Sequence, residues 1–251
     1  MSITYGVKLS QSALGEGKSN MLFVDNAYAT TGIGIAKFIS VNANGTSDAY
    51  VGQTLPTWQL ADASDKKPAQ GLVYVTSARK KGISIIEQLE VKDDNFYPYG
   101  LRESQGLIPL HEAEIVVKDT SRDYFFNTTQ KALTGTVSVA GGALSTVAGV
   151  GTKFTTELRV GDYILVGGIE KQVSAIATDV SLTVSVAFTG AVASATGYIS
   201  TDLFKPVYLA EDGGFTKLVP VTAGTLKQII GFVINGNNVK VELENLQGTI
   251  L

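Results

Sequence analysis

From residue 34 onward the chain consists of short runs of β-branched and aromatic residues separated by Gly, Asn and Asp. Such runs are typical of β-strands, and the residues between them tolerate the backbone angles of tight turns. Apolar residues follow the i, i+3, i+4, i+7 spacing of a helix only weakly, around Leu110 to Val117. The pattern therefore predicts an all-β chain with very little helix.

The segment 134–200 differs from its flanks because it is poor in aromatic residues and dense in Val, Ala, Ser, Thr and Gly. Apolar and polar residues alternate in short runs bounded by turn residues. This pattern predicts strands at 135–140, 144–148, 163–166, 171–176, 182–186 and 197–200. Short strands at this regular spacing form a small barrel or sandwich. We therefore predict a five- to six-stranded β-barrel module over 134–200, inserted into a discontinuous β-barrel or sandwich domain made of 36–133 and 201–251.

Residues 1–35 show no sustained hydrophobic period, and polar or Gly-containing stretches interrupt them. They contain a short apolar run that begins at Met21. We predict an extended N-terminal arm over 1–35. Chain ends gain order mainly by docking, so an arm with large apolar side chains is expected to contact a partner through Tyr5, Met21, Leu22 and Phe23.

Two β-hairpins are predicted on either side of the module. The first joins 71–75 to 83–87 through the basic tip 79–81, and the second joins 230–234 to 239–243 through an Asn- and Gly-rich turn. Both follow the order Gly, apolar strand, polar turn, alternating strand. Two ordinary hairpins are the favoured interpretation, because any two hairpins look alike in this way, and a duplicated hairpin is the alternative.

Charge and composition narrow the classes of partner. The formal net charge is −3, charged residues make up 17% of the chain, and only four residues are Arg. Nucleic-acid binding depends on clustered Lys and Arg that neutralise phosphates, so no nucleic-acid partner is expected. No apolar run approaches the roughly 20 residues of a membrane helix, and the N-terminus lacks the features of a secretory signal. We expect a soluble protein that is made in the cytoplasm and has no membrane partner.

The sequence does not assemble a catalytic or metal site. It contains no Cys, which excludes disulfides and thiolate ligands, and His111 is its one histidine, which excludes a multi-histidine zinc site. Residues 15–19 end like a phosphate-binding loop but lack its first glycine and its flanking strand and helix. We expect no catalytic residues, no cofactor and no metal, and hence a protein that is not an enzyme.

Two clusters leave an alternative open. Residues 93–95, Asp-Asp-Asn, are interpreted as a turn, and a calcium site is the alternative because carboxylates and carbonyls bind that ion. Trp58, Tyr97 and Tyr99 would form a sugar-binding platform if they were exposed, whereas a buried Trp58 would be a core residue.

Within the module, the sequences at 135–139, 149–155, 158–164 and 176–184 resemble a small β-module common in phage structural proteins. The flanks are similar to phage capsid decoration and head-fibre proteins. The stretch 67–73, Lys-Pro-Ala-Gln-Gly-Leu-Val, resembles a strand of that family in which His is more usual than Gln70. Its closing portion is matched by 206–209, 213–216, 222–224 and 228–231.

This resemblance implies a virion structural protein, most often a homotrimer, that binds the major capsid protein on the outer capsid surface. A capsid decoration (cement) protein that stabilises the shell is the first expectation. Related modules occur in tail and baseplate proteins, so a tail, neck or baseplate component is the alternative. A host-surface or carbohydrate-binding module is a second alternative.

Overall fold

The computed structural model describes residues 3–9, 20–21, 36–46, 54–78, 96–102, 113–119, 125–141, 144–243 and 248–251. In these ranges the chain is nearly all β, arranged in antiparallel sheets, with one short helix, α1, at Phe154–Glu157. The all-β prediction is therefore confirmed.

A six-stranded sheet contains the N-terminal strand and the strands near the C-terminus. In spatial order its strands are β1 (Ile3–Leu9), β7 (Ala113–Asp119), β20 (Asn238–Val241), β19 (Ile229–Val233), β16 (Pro206–Leu209) and β17 (Phe215–Thr216). The predicted hairpin at 230–243 forms here, with Gly231 opposite Val241 and Val233 opposite Val239.

The two edges of this sheet meet. Tyr5 on β1 and Phe215 on β17 pack edge to face, with ring centroids 5.7 Å apart. Because neighbouring strands are about 4.8 Å apart, the outer strands of a flat six-stranded sheet would be separated by about 24 Å. The sheet is therefore strongly curled, and its concave side encloses a core.

A five-stranded sheet is formed by strands that lie between residues 20 and 102. Its strands are, in spatial order, β2 (Asn20–Met21), β6 (Phe96–Arg102), β5 (Gly71–Ala78), β3 (Phe38–Thr46) and β4 (Thr54–Leu60). The β5 strand pairs with β6, whereas its predicted partner at 83–87 lies outside the described residues. A further pair joins β18 (Leu226–Lys227) to β21 (Thr249–Ile250).

An eight-stranded sheet spans the predicted module 134–200 and also includes a two-residue strand that precedes it. In spatial order its strands are β14 (Val192–Ala195), β9 (Thr136–Val139), β10 (Thr146–Val150), β13 (Ser181–Val184), β12 (Ile169–Thr178), β11 (Tyr163–Val166), β15 (Tyr198–Ile199) and β8 (Lys131–Ala132). All six predicted strands are present. The sequence analysis missed β8 and β14, which are short and largely exposed and so lack clear hydrophobic alternation.

Buried apolar side chains form two clusters. The first lies within 36–126 and 207–243 and includes Phe38 and Phe126. The second lies within 133–199 and includes Phe154 and Phe188. The predicted domain boundaries at 134 and 200 remain predictions, but each cluster draws its side chains from a different part of the chain.

Part of the predicted N-terminal arm is a strand of the chain's own sheet. The β1 strand pairs with β7 along its whole length, from Ile3 opposite Asp119 to Leu9 opposite Ala113. This strand was not predicted, although its apolar residues alternate with Thr4, Gly6 and Lys8 as in a strand with one buried face. Most of 10–35 lies outside the described residues.

Candidate functional site at the junction of the two cores

Three buried charged side chains meet between the two clusters. Lys217 follows β17, Asp162 immediately precedes β11, and Asp202 lies in the turn between β15 and β16. Their side chains are 6%, 2% and 1% exposed, respectively. The Lys217 Nζ contacts Asp162 Oδ1 and donates to Asp202 Oδ2 at 3.0 Å. We call these three residues the junction cluster.

Gln172 on β12 holds together the two backbone segments that carry Lys217 and Asp162. Its Nε2 donates to the carbonyl oxygens of Gly161 at 3.0 Å and Lys217 at 2.6 Å. Its Oε1 accepts from the Val219 N–H at 3.0 Å. Every side-chain polar group of this buried amide is thus used to fix the relative position of the two segments.

A glycine permits the close approach of these segments. Gly161 has φ +91°, and a Cβ at this position would lie 2.9 Å from Lys217 Cβ and 3.2 Å from the Leu218 amide nitrogen. Both the left-handed backbone and the lack of space favour glycine here.

Asp202 is incompletely satisfied. Its Oδ2 accepts from the Asn127 N–H at 2.8 Å as well as from Lys217, whereas its Oδ1 has no hydrogen-bond partner among the described residues. Burial raises the pKa of Asp202; the charge of Lys217 opposes this shift and the charge of Asp162 adds to it. The junction cluster thus contains a carboxyl group that holds a proton more tightly than a free aspartic acid does.

A second buried ion pair crosses the same junction. Arg159 forms an ion pair with Asp119 at the end of β7, and its Nη1 donates to the Phe125 carbonyl oxygen at 2.9 Å. The Arg159 backbone N–H donates to Asp162 Oδ2 at 2.8 Å. Arg159 therefore connects the turn that carries Asp162 to the six-stranded sheet.

Aromatic rings enclose the junction cluster. The Lys217 Nζ lies 5.9 Å from the ring centroids of both Phe125 and Phe126, and the guanidinium carbon of Arg159 lies 5.0 Å from that of Phe125. Rings at these distances exclude water, which strengthens the interactions between the enclosed charges.

A shallow cleft of about 290 Å³ opens beside the junction. It is lined by Tyr163, Glu170, Lys171, Gln172, Ser185, Val186, Val219 and Val221. Lys205 closes one side, with its Nζ 3.4 Å from the Tyr163 ring centroid and 2.7 Å from Glu170 Oε2. Burial, followed by the charges of Tyr208, Asp202 and Glu170, raises the pKa of Tyr163 to about 12. The phenol is therefore a neutral hydrogen-bonding group at physiological pH.

Phe204 is an exposed aromatic residue near this junction. Its side chain is 77% exposed, and its backbone has φ 60°, a left-handed conformation that is uncommon for a bulky residue. The Phe204 N–H donates to the Val233 carbonyl oxygen at 2.8 Å. An exposed ring held on a fixed backbone is suited to contact a partner.

Of the four predicted partner-binding residues, two lie among the described residues, and neither belongs to the junction cluster. Tyr5 is on β1, 47% exposed, with its ring against Phe215, so it already makes a contact within the chain. Met21 is on β2, opposite Tyr99 on β6, and Leu22 and Phe23 lie outside the described residues. Their assignment to a partner surface remains a prediction.

The remaining candidates are distributed over several elements. Trp58 is on β4, whereas Tyr97 and Tyr99 are on β6, with β3 and β5 between these strands in the sheet. His111 and the possible calcium ligands at 93–95 lie outside the described residues. Within the part of the chain that the structure describes, no three His, Cys, Asp or Glu side chains are grouped to hold a metal ion. The same part contains no helix long and apolar enough to cross a membrane.

The sequence analysis missed all three members of the junction cluster. Asp162 lies in the stretch 158–164 that resembles the small β-module, and Lys217 directly follows the stretch 213–216 that resembles the closing portion of the decoration-protein family. The sequence contained one weak indication. Lys217 is two positions from both Phe215 and Val219, which is the spacing of residues on one face of a strand.

No protein-family model matches the sequence, and no curated protein matches it. A solved structure from Mycobacterium phage Patience is similar to the chain, with 13% sequence identity over 96% of this chain and 97% of that one and a TM-score of 0.34. A similarity this low establishes neither a family nor a function.

Proposed function

We propose that the chain is a virion structural protein, and specifically a capsid decoration (cement) protein that binds the major capsid protein on the outer surface of the shell as a homotrimer. The resemblance of 67–73 and 206–231 to that family supports the proposal. The observation that carries it is the junction cluster, whose charged groups are enclosed between two β cores. Paired charges in this position hold the parts of the chain that form the two cores in a fixed orientation. A protein that reinforces a capsid needs this rigidity.

A rigid two-unit body suits attachment to a capsid. Many copies that each bridge neighbouring subunits add their contacts through avidity, so modest contacts stabilise the shell strongly. A homotrimer has the closed symmetry of a three-fold capsid position. On this proposal the partner surface includes Tyr5, Met21, Leu22 and Phe23 together with the exposed ring of Phe204.

Copy number tests the proposal directly. Densitometry of gels of purified virions compares this band with the major capsid protein. A ratio near one, or a simple fraction set by three-fold positions, is expected. A few copies per particle would contradict a decoration role and favour a tail, neck or baseplate component.

The partner surface is tested by substitution rather than by truncation, because deletion of the N-terminus would also remove β1 from its sheet. We expect Phe204→Ser to weaken binding of the purified protein to undecorated capsids by about tenfold, as loss of an interface anchor does. The matched control is Val150→Ser, an exposed apolar residue on β10 that is 73% exposed. Equal binding by both variants would remove Phe204 from the partner surface.

A further inference from the structure

The junction cluster presents an electrostatic problem. With Lys217, Asp162 and Asp202 all ionised, one negative charge has no opposite charge within the cluster, and Asp202 Oδ1 has no hydrogen-bond partner among the described residues. Burying charged groups is costly unless their partners are complete. Protonation of Asp202 removes the excess negative charge, and a condensation between Lys217 and Asp162 would then remove the two charges that remain.

We propose that the Lys217 Nζ and the Asp162 Cγ are joined by an intramolecular isopeptide bond, and that Asp202 carries the protons during its formation. The inference goes beyond the proposed function and does not depend on it. A lysine, a carboxyl acceptor and a second carboxyl group within an aromatic enclosure are the groups that amide formation between side chains requires.

The reacting groups are already in contact. Lys217 Nζ touches Asp162 Oδ1, so the nitrogen is next to the carboxyl carbon that it would attack. The Gln172 amide fixes both backbones, and Gly161 lets them approach closely. Holding two groups in a productive geometry converts a slow reaction between separate molecules into a fast internal one.

The surroundings favour the protonation states that the reaction needs. Attack requires a neutral amine and a protonated carboxyl group, and an enclosed apolar site favours neutral groups over ions. The Phe125 and Phe126 rings supply this enclosure. Asp202 Oδ2 lies 3.0 Å from Lys217 Nζ, within reach of its protons, and burial raises the pKa of Asp202.

The step balances as a condensation. A proton passes from the Lys217 ammonium to the Asp162 carboxylate, and the nitrogen lone pair then attacks Asp162 Cγ. Protonated Asp202 donates its proton to the departing Asp162 oxygen and takes one from the attacking nitrogen, so it ends the reaction protonated. A C–N bond forms, a C–O bond breaks, and one water leaves, so no oxidant, reductant or cofactor is needed.

Intact mass spectrometry of the denatured full-length protein tests the bond. We expect a mass lower than the sequence mass by one water. Trypsin should yield a branched peptide that joins 160–171 to 172–227, because a modified Lys217 is not cleaved and Lys205 precedes Pro206. The full sequence mass, both at purification and after prolonged incubation at neutral pH, would overturn the proposal.

Peptide mapping separates this bond from other losses of water. A link from Lys217 to Asp202 would lie entirely within 172–227, and a cyclic imide at Asp212-Gly213 would be opened by hydroxylamine. Either result, without the branched peptide, would overturn the assignment to Asp162.

Variants assign the roles. Lys217→Arg keeps the positive charge and should restore the full mass of its sequence. Lys205→Arg is the matched control, because Lys205 pairs with Glu170 at the surface, and it should keep the one-water deficit.

Asp202→Asn should fold, as judged by circular dichroism, yet form the bond at least tenfold more slowly. Bond formation at the wild-type rate in Asp202→Asn would show that Asp202 carries no protons. If Lys217→Arg fails to fold, the wild-type peptide map alone decides the proposal.

Discussion

At the scale of single residues, the junction cluster illustrates how one buried carboxyl group depends on its surroundings. Asp202 is almost completely enclosed, accepts hydrogen bonds from Lys217 and Asn127, and leaves one oxygen unpartnered among the described residues. Enclosure raises the pKa of Asp202 more than Lys217 lowers it. The folded protein therefore holds a proton on this group more tightly than the unfolded chain does.

The raised pKa of Asp202 predicts how the free energy of unfolding changes with pH. Because the folded pKa exceeds the unfolded value of 3.8, the stabilisation by Asp202 is fully present below that pH and is lost as the pH rises through the folded pKa. Urea unfolding of the wild type and Asp202→Asn should show the wild type losing stability relative to the variant as the pH rises from about 4. The two proteins are compared in the same crosslinking state, as judged by intact mass, because the crosslink would remove the charges of Lys217 and Asp162 that act on Asp202. A wild type that gains stability relative to Asp202→Asn as the pH rises would contradict the prediction.

At the scale of elements, the junction residues lie in turns. The two glycines on either side of β11 allow backbone strain to be distinguished from lack of space as reasons for glycine. Gly161 has φ +91° and Lys217 packed against it, whereas Gly168 has φ +79° and nothing within 4 Å of a Cβ. Both positions require a left-handed backbone, and only the first also lacks space.

Alanine substitutions at these glycines should therefore differ in cost. Gly168→Ala should lower the free energy of unfolding by about 1 kcal/mol through backbone strain alone. Gly161→Ala should lower it by about 3 kcal/mol, because overlap with Lys217 Cβ adds to the same strain. Chemical denaturation of the two variants measures both values. Equal losses would mean that the close approach at Gly161 does not contribute to stability.

At the scale of the whole molecule, buried ion pairs connect parts of the chain that have separate apolar clusters. Arg159 and Asp119 form one such pair, and the Arg159 backbone also holds Asp162. Removing one partner would leave a buried charge, which costs about 3–5 kcal/mol, whereas replacing both with apolar residues of similar size often costs little.

The double substitution Arg159→Met with Asp119→Leu should therefore weaken the connection while it removes both charges of this pair together. We expect calorimetry to show one unfolding transition for the wild type and two for this variant, because each cluster can then unfold by itself. Lys205→Met with Glu170→Gln, which removes a surface pair, is the matched control and should keep a single transition. A single transition in both double variants would show that the Arg159 pair does not couple the clusters.

The sequence by itself determined the fold class and most strands of the module. Strand alternation and turn residues act over a few neighbouring positions, so the strands at Tyr163–Val166 and Ser181–Val184 were predicted where they occur or within a few residues. The hairpin that joins β19 to β20 was predictable for the same reason, because a short polar turn connects its strands.

Tertiary structure decided the pairing of β1 with β7, the curl that brings Tyr5 against Phe215, and the whole of the junction cluster. In sequence Asp162, Asp202 and Lys217 are ordinary turn or surface residues, far apart and without a shared motif. They meet because strands from distant parts of the chain pair and stack. Which distant strands pair depends on the packing of the complete fold, and local hydrophobic patterns do not specify it.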